Sequence, residues 1–175
     1  MWFCGIDTVL IGSKGEFRID PDGIAAHMSD PVVMGDLLSM GVHRPGDILG
    51  WLVADSDQMR QMGLGAPRNR TDLPVLEFSA PKAVGMSGVA STMPALLTAL
   101  EEVPPQDRWR RLNDMCTRPL DMATLEDAET VCLAGQWLMR GQMLYSYGYA
   151  DQYLEAAAEA NRLRPSDRFV LQCVG

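Results

Sequence analysis

The spacing of apolar and polar positions changes character twice along this chain. Residues 7–11, Asp-Thr-Val-Leu-Ile, form a short β-branched apolar run closed by Gly12-Ser13, the pattern of a buried strand ending in a turn. Trp2 and Phe3, ahead of Gly5, read as the end of another strand, and a hairpin fits both. Two strands alone are marginal in water, so the pattern predicts that the rest of their sheet lies upstream, outside this chain. From Asp20 the apolar spacing becomes helical in short pieces, over 21–29, 31–40, 45–54 and 56–62. Pro21, Pro31 and Pro45 suit first turns, and Asp20, Asp30 and Asp55 stand where a carboxylate can take up free backbone N–H groups. Arg44, before Pro45, is the exception. Gly41 and Gly63 follow two of these pieces at the place that favours a left-handed cap. Residues 74–79, between prolines at 74 and 81, suit an edge strand because proline cannot donate to a ladder.

The small, glycine-rich stretch after residue 83 marks a domain boundary, with 85–91 as linker. Beyond it the pattern is helical throughout, over 93–102, 106–116, 125–147 and 150–163, with Pro104-Pro105, Pro119, Gly148 and Pro165 at the ends. Trp137, Gly141, Gly148, Ala160 and Pro165 fall at the spacing of one tetratricopeptide-type helix-turn-helix repeat over 133–165. Arg140, Tyr153 and Ala157 depart from that repeat's usual Leu, Ala and aromatic. A single repeat cannot bury its own apolar face, so it must pack on the preceding helices or on further repeats.

Composition narrows the function. At 47% hydrophobic residues the chain can bury a core, and no run approaches the roughly 20 apolar residues of a membrane span. The first twelve residues lack the basic region and cleavage site of a signal peptide. A net charge of −8 argues against nucleic-acid binding. The one basic cluster, Arg108, Arg110 and Arg111 around Trp109, reads as a solvated helix face. Cys4, Cys116, Cys132 and Cys173 form no CxxC pair, which favours buried thiols in a reducing cytoplasm over a metal knuckle or a disulfide framework. His27 and His43 have no nucleophile arranged beside them, and Asp20, Asp22, Asp30 and Asp36 form no calcium loop. Gly12-Ser13-Lys14-Gly15 lacks the spacing of a phosphate loop. The methionines, among them Met28, Met34, Met40, Met59 and Met62, read as adaptable core filler. No residue is assigned a catalytic, cofactor-binding or metal role.

The most distinctive stretch is residues 65–82. Asn69, Thr71 and Asp72 can fix a turn before Pro74 through side-chain bonds to backbone amides. Glu77, between Leu76 and Phe78, would have its pKa perturbed by burial unless Lys82 or an arginine paired with it. Thr71, Asp72 and Glu77 are therefore the candidate structural or site-adjacent residues. Together with the strand Asp7–Ser13, Asp36-Leu37 and Pro45-Gly-Asp-Ile-Leu49, this stretch resembles the C-terminal region of bacterial spermidine-synthase-like proteins, in particular the long transporter-fused forms. Arg70, Leu73 and Lys82 depart from the family's pattern, and the resemblance covers roughly residues 2–84.

The resemblance implies a chain running from α/β to mostly α. Residues 1–84 would hold the terminal strands of a methyltransferase-like sheet plus short helices, and 92–175 an all-α, repeat-like tail. It also implies that the parent family's activity, transfer of an aminopropyl group from decarboxylated S-adenosylmethionine to a polyamine, needs motifs that precede this chain. The chain itself would bind no cofactor and would pack on the missing N-terminal part. Its location would be cytoplasmic, with a tether to the inner membrane through that part, and the tail would be free to meet a protein partner. The rival expectation is a helical interaction module without chemistry.

Overall fold

The computed structural model describes residues 2–4, 7–9, 11–52, 54–65, 94, 97, 98, 101 and 103–165. Strands β1 (Trp2–Cys4) and β2 (Asp7–Val9) form the expected antiparallel hairpin, with Phe3 opposite Thr8. Among the described residues no third strand extends it. The chain is predominantly helical, and this overturns the methyltransferase-like sheet implied for residues 1–84. The reason is visible from residue 11 onward. Residues 11–18 form no strand, and Ile19 makes an isolated bridge to Cys116: Ile19 N–H donates to Met115 O and Thr117 N–H to Ile19 O, both at 2.8 Å. At Asp20 the proline-led helices begin.

Those helices are α1 (Pro21–Met28), α2 (Pro31–Ser39), α3 (Pro45–Leu49) and α4 (Ser56–Met62). Asp30 caps α2 by accepting from Val32 N–H at 2.8 Å. Asp55 caps α4 by accepting from the N–H groups of Asp57 and Gln58, while Gln58 Oε1 accepts from Asp55 N–H. Asp20 occupies the N-cap of α1 but makes no side-chain bond to it, so Pro21 alone opens that helix. The sequence predicts α3 to run to residue 54, whereas it stops at Leu49. Gly50, Trp51 and Leu52 turn instead, through Trp51 N–H to Ile48 O and Leu52 N–H to Leu49 O, which leaves Asp55 free to start α4. Gly41 adopts the expected left-handed cap at φ 77°. Gly63 does not, remaining right-handed at φ −85°.

The later helices are α5 (Pro105–Met115), α6 (Met122–Ser146) and α7 (Ala150–Leu163), close to the predicted bounds. Residues 94, 97, 98 and 101 are also helical. Asp121 opens α6 by accepting from Thr124 N–H at 2.7 Å. Gly148 closes it at φ 85°: its N–H donates to Tyr145 O, and Tyr149 N–H reaches back to Leu144 O, the paired bonds of a Schellman cap. The α6–α7 hairpin follows from this one residue. Replacing Gly148 with alanine is expected to destabilise by about 1 kcal/mol, because an L side chain strains a left-handed backbone; a thermal melt unchanged from wild type would contradict it.

The main core joins both sides of the 85–91 stretch. Ile19, Leu49 and Leu52 are buried with Leu112, Cys116, Leu120 and Ala128. A second cluster inside the hairpin holds Ala134, Leu138 and Ala160, flanked by Trp137 and Leu163. Among the described residues α6 packs on α3, and Arg164, just after α7, reaches Asp47 in α3. The methionines divide: Met28 and Met139 are buried, whereas Met40 and Met122 are exposed and fill no core.

Candidate functional site

The three sequence candidates Thr71, Asp72 and Glu77 lie outside the described residues, as does the predicted edge strand 74–79.

A cleft of about 880 Å3 is bounded by residues 11–18, the start of α4 and the end of α5. Most of its charged lining is paired. Arg111 lies 3.3 Å from Asp55, Arg60 2.5 Å from Asp57, and Arg18 2.6 Å from Glu16. Arg18 also bonds the Asp114 carbonyl. Asp55 is committed as well to capping α4, so this cleft reads as a place where structural charges meet solvent.

The basic cluster is not the solvated face its spacing suggests. Arg110 does stay outward, 3.2 Å from Asp107. Arg108 turns inward, donating to Val103 O and approaching Cys132 Sγ at 2.8 Å, and Arg111 reaches Asp55. The helix face carrying Trp109 packs on the main core. The apolar Trp109 set among these arginines is the one sequence signal for an inward-facing side.

Cys116 and Cys132 are buried and free. Burial pushes both thiols up; the Arg118 charge opposes it at Cys116, and Arg108 opposes it at Cys132. A thiol so held is protonated at neutral pH and a poor nucleophile. In the native protein, alkylation at these two positions, followed by peptide mass spectrometry, is expected to be at least about tenfold slower than after denaturation; equal rates would refute it. His27 Nδ1 lies 2.7 Å from its own helix's Gly23 O, and His43 donates its backbone N–H to Asp47. Among the described residues no His, Cys, Asp and Glu side chains group as metal ligands, and no helix is long and apolar enough to cross a membrane.

Two of the ionic contacts between distant segments carry carboxyls shifted from their ordinary value. Asp22 and Arg118 pair side by side, with Arg118 Nε donating to Oδ2 at 2.8 Å and Nη2 to Oδ1 at 2.5 Å, which joins α1 to the segment before α6. The hydrogen bond from Arg118 lowers the Asp22 carboxyl below its ordinary value. The second, Asp47 with Arg164, is buried: Arg164 Nη1 donates to Oδ1 at 2.7 Å, while Oδ2 accepts from the N–H groups of His43 and Arg44. Burial opposes ionisation of Asp47. The hydrogen bonds from Arg164 and the two amides, with the Arg164 charge, outweigh it and hold the carboxyl below the usual range.

The remaining feature is the tip of the α6–α7 hairpin. Tyr145, Tyr147 and Tyr149 are 65%, 56% and 54% exposed, and Leu154 is 53% exposed. Tyr145 leans on Tyr153 with ring centroids 5.3 Å apart. A second exposed apolar surface runs along α2, where Val32, Leu38 and Met40 face solvent and no side chain is buried. No family model, curated protein or solved structure matches the chain.

Proposed function

We propose that this chain is a non-enzymatic helical interaction module that presents the tip of its α6–α7 hairpin to a protein partner. The observation that carries the reading is the exposure of three tyrosines within a few residues of Gly148. Tyrosine offers a large, stiff, amphipathic contact surface at small entropic cost and is enriched at energetically dominant interface positions. The hairpin beneath is braced by the α3 contact and by the Asp47–Arg164 pair, so the tip is held on a rigid base. In this reading the chain works in the cytoplasm, where buried thiols stay reduced. The test places a photo-crosslinking amino acid at Tyr147 in cells producing the full chain. A discrete adduct with another protein, lost in the Tyr145→Ser/Tyr149→Ser background, is expected; absence of any tip-dependent adduct would remove the proposal.

The rival proposal follows the sequence resemblance: the C-terminal part of a spermidine-synthase-like protein, tethered to the inner membrane by its upstream portion. Its support is the order of sequence blocks in residues 2–84, without the sheet that the resemblance implied. It predicts a reading frame continuing upstream of Met1 into a glycine-rich nucleotide-binding motif. A stop codon and ribosome site immediately before Met1 would eliminate it.

A further inference from the structure

The charge pattern around the tip specifies the kind of partner. Between Arg140 and Arg162 the chain contains no lysine or arginine, and its only charged side chains are Asp151, Glu155 and Glu159. Glu159 is paired with Arg162 at 2.9 Å. Asp151 and Glu155 are exposed on one face of α7 at i,i+4 spacing, with exposed Leu154 between them. Asp151 lies in the first turn, two residues from Tyr149 and four from Tyr147. The hairpin end therefore combines aromatic faces and an apolar contact with negative charge, and carries no positive charge of its own.

Resting on the interaction reading above, we infer that the occupant of this tip is a basic, arginine-bearing segment of another protein. A guanidinium is attracted both to a tyrosine face and to a carboxylate, and its alkyl stem can cover Leu154. An acidic segment would meet Asp151 and Glu155 with like charge, and a purely apolar one would leave both carboxylates desolvated without partners. The net charge of −8 favours the same sign of partner at long range. A second copy of this chain brings an identical acidic tip, so tip-to-tip association is disfavoured.

The experiment uses the full chain and a fluorescein-labelled amphipathic helical peptide with arginines on one face and leucines on the other, read by anisotropy. Two control peptides carry glutamine or glutamate in place of every arginine. The arginine peptide is expected to bind at least about tenfold more tightly than the glutamine form, and the glutamate form more weakly still. Raising the salt concentration should weaken the arginine peptide selectively. Tyr147→Ser/Tyr149→Ser and Asp151→Asn/Glu155→Gln should each reduce its affinity about tenfold. These side chains are exposed, and unchanged circular dichroism checks folding.

Equal binding of the arginine and glutamine peptides, undiminished binding by both tip variants, or no binding at millimolar peptide would overturn the inference. So would tip-dependent self-association in sedimentation. A crosslink from position 147 to a non-basic segment would leave the interaction reading standing and remove this inference alone. The absence of any tip-dependent crosslink would remove that reading itself.

Discussion

Asp47→Ala is expected to destabilise the protein by about 3–5 kcal/mol, the range for removing one partner of a buried ion pair. The carboxylate is 1% exposed and accepts three hydrogen bonds. Two come from the amides that open α3, where Arg44 supplies no cap; Asp47 does that work from inside the first turn. The third comes from Arg164, 8% exposed, which would be left buried without its carboxylate. Asp47→Asn should fall between alanine and wild type, since it keeps the shape and loses the charge. The pH dependence has a definite sign. Because the folded carboxyl sits below its ordinary value of about 3.8, its contribution is complete above that value and lost as pH falls through the lowered folded value. Urea denaturation at pH 7 and across the acid limb measures both. A loss under about 1 kcal/mol for Asp47→Ala, or an acid limb identical in Asp47→Asn and wild type, would contradict this account.

That contact also shows where sequence reading stops. Periodicity, proline and glycine place α1, α2, α4, α5, α6 and α7 within a few residues, because each of those signals acts on its own neighbourhood. Asp47 and Arg164 are far apart in the chain, and nothing local marks either as the other's partner. The β1–β2 hairpin was legible as a hairpin; what failed was the methyltransferase-like sheet around it, an expectation that rested on the marginal stability of two strands and on the resemblance. Arg108 and Arg111 were misread for a related reason. A charged helix face looks solvated until another element supplies a carbonyl, a thiol or a carboxylate. Of the site, only Gly148 was readable, as a helix end; the exposure of the tyrosines beside it depends on what α6 and α7 pack against.

The second large effect sits where α3 crosses α6, at two glycines one helical turn apart. A Cβ added at Gly46 would meet Asp127 Cβ at 2.5 Å and Thr124 O at 2.9 Å; one at Gly50 would meet Ala128 O at 2.5 Å and Val131 Cβ at 2.6 Å. Both clashes involve backbone or the base of a side chain, so no rotamer change relieves them. Ala128 is fully buried beneath, and Arg44 binds Asp127 at 2.7 Å beside the crossing. The short α3 can bury Leu49 in the core only because its backbone lies this close to α6. Gly50→Val is therefore expected to destabilise by about 3 kcal/mol, at the upper end of overpacking costs, measured as a lowered urea midpoint. Gly135→Ala is the control within α6. A Cβ there meets nothing within 4 Å, so that substitution should stabilise by up to about 1 kcal/mol through helix propensity. If Gly50→Val were as well tolerated as Gly135→Ala, the close crossing of α3 and α6 would have to be abandoned.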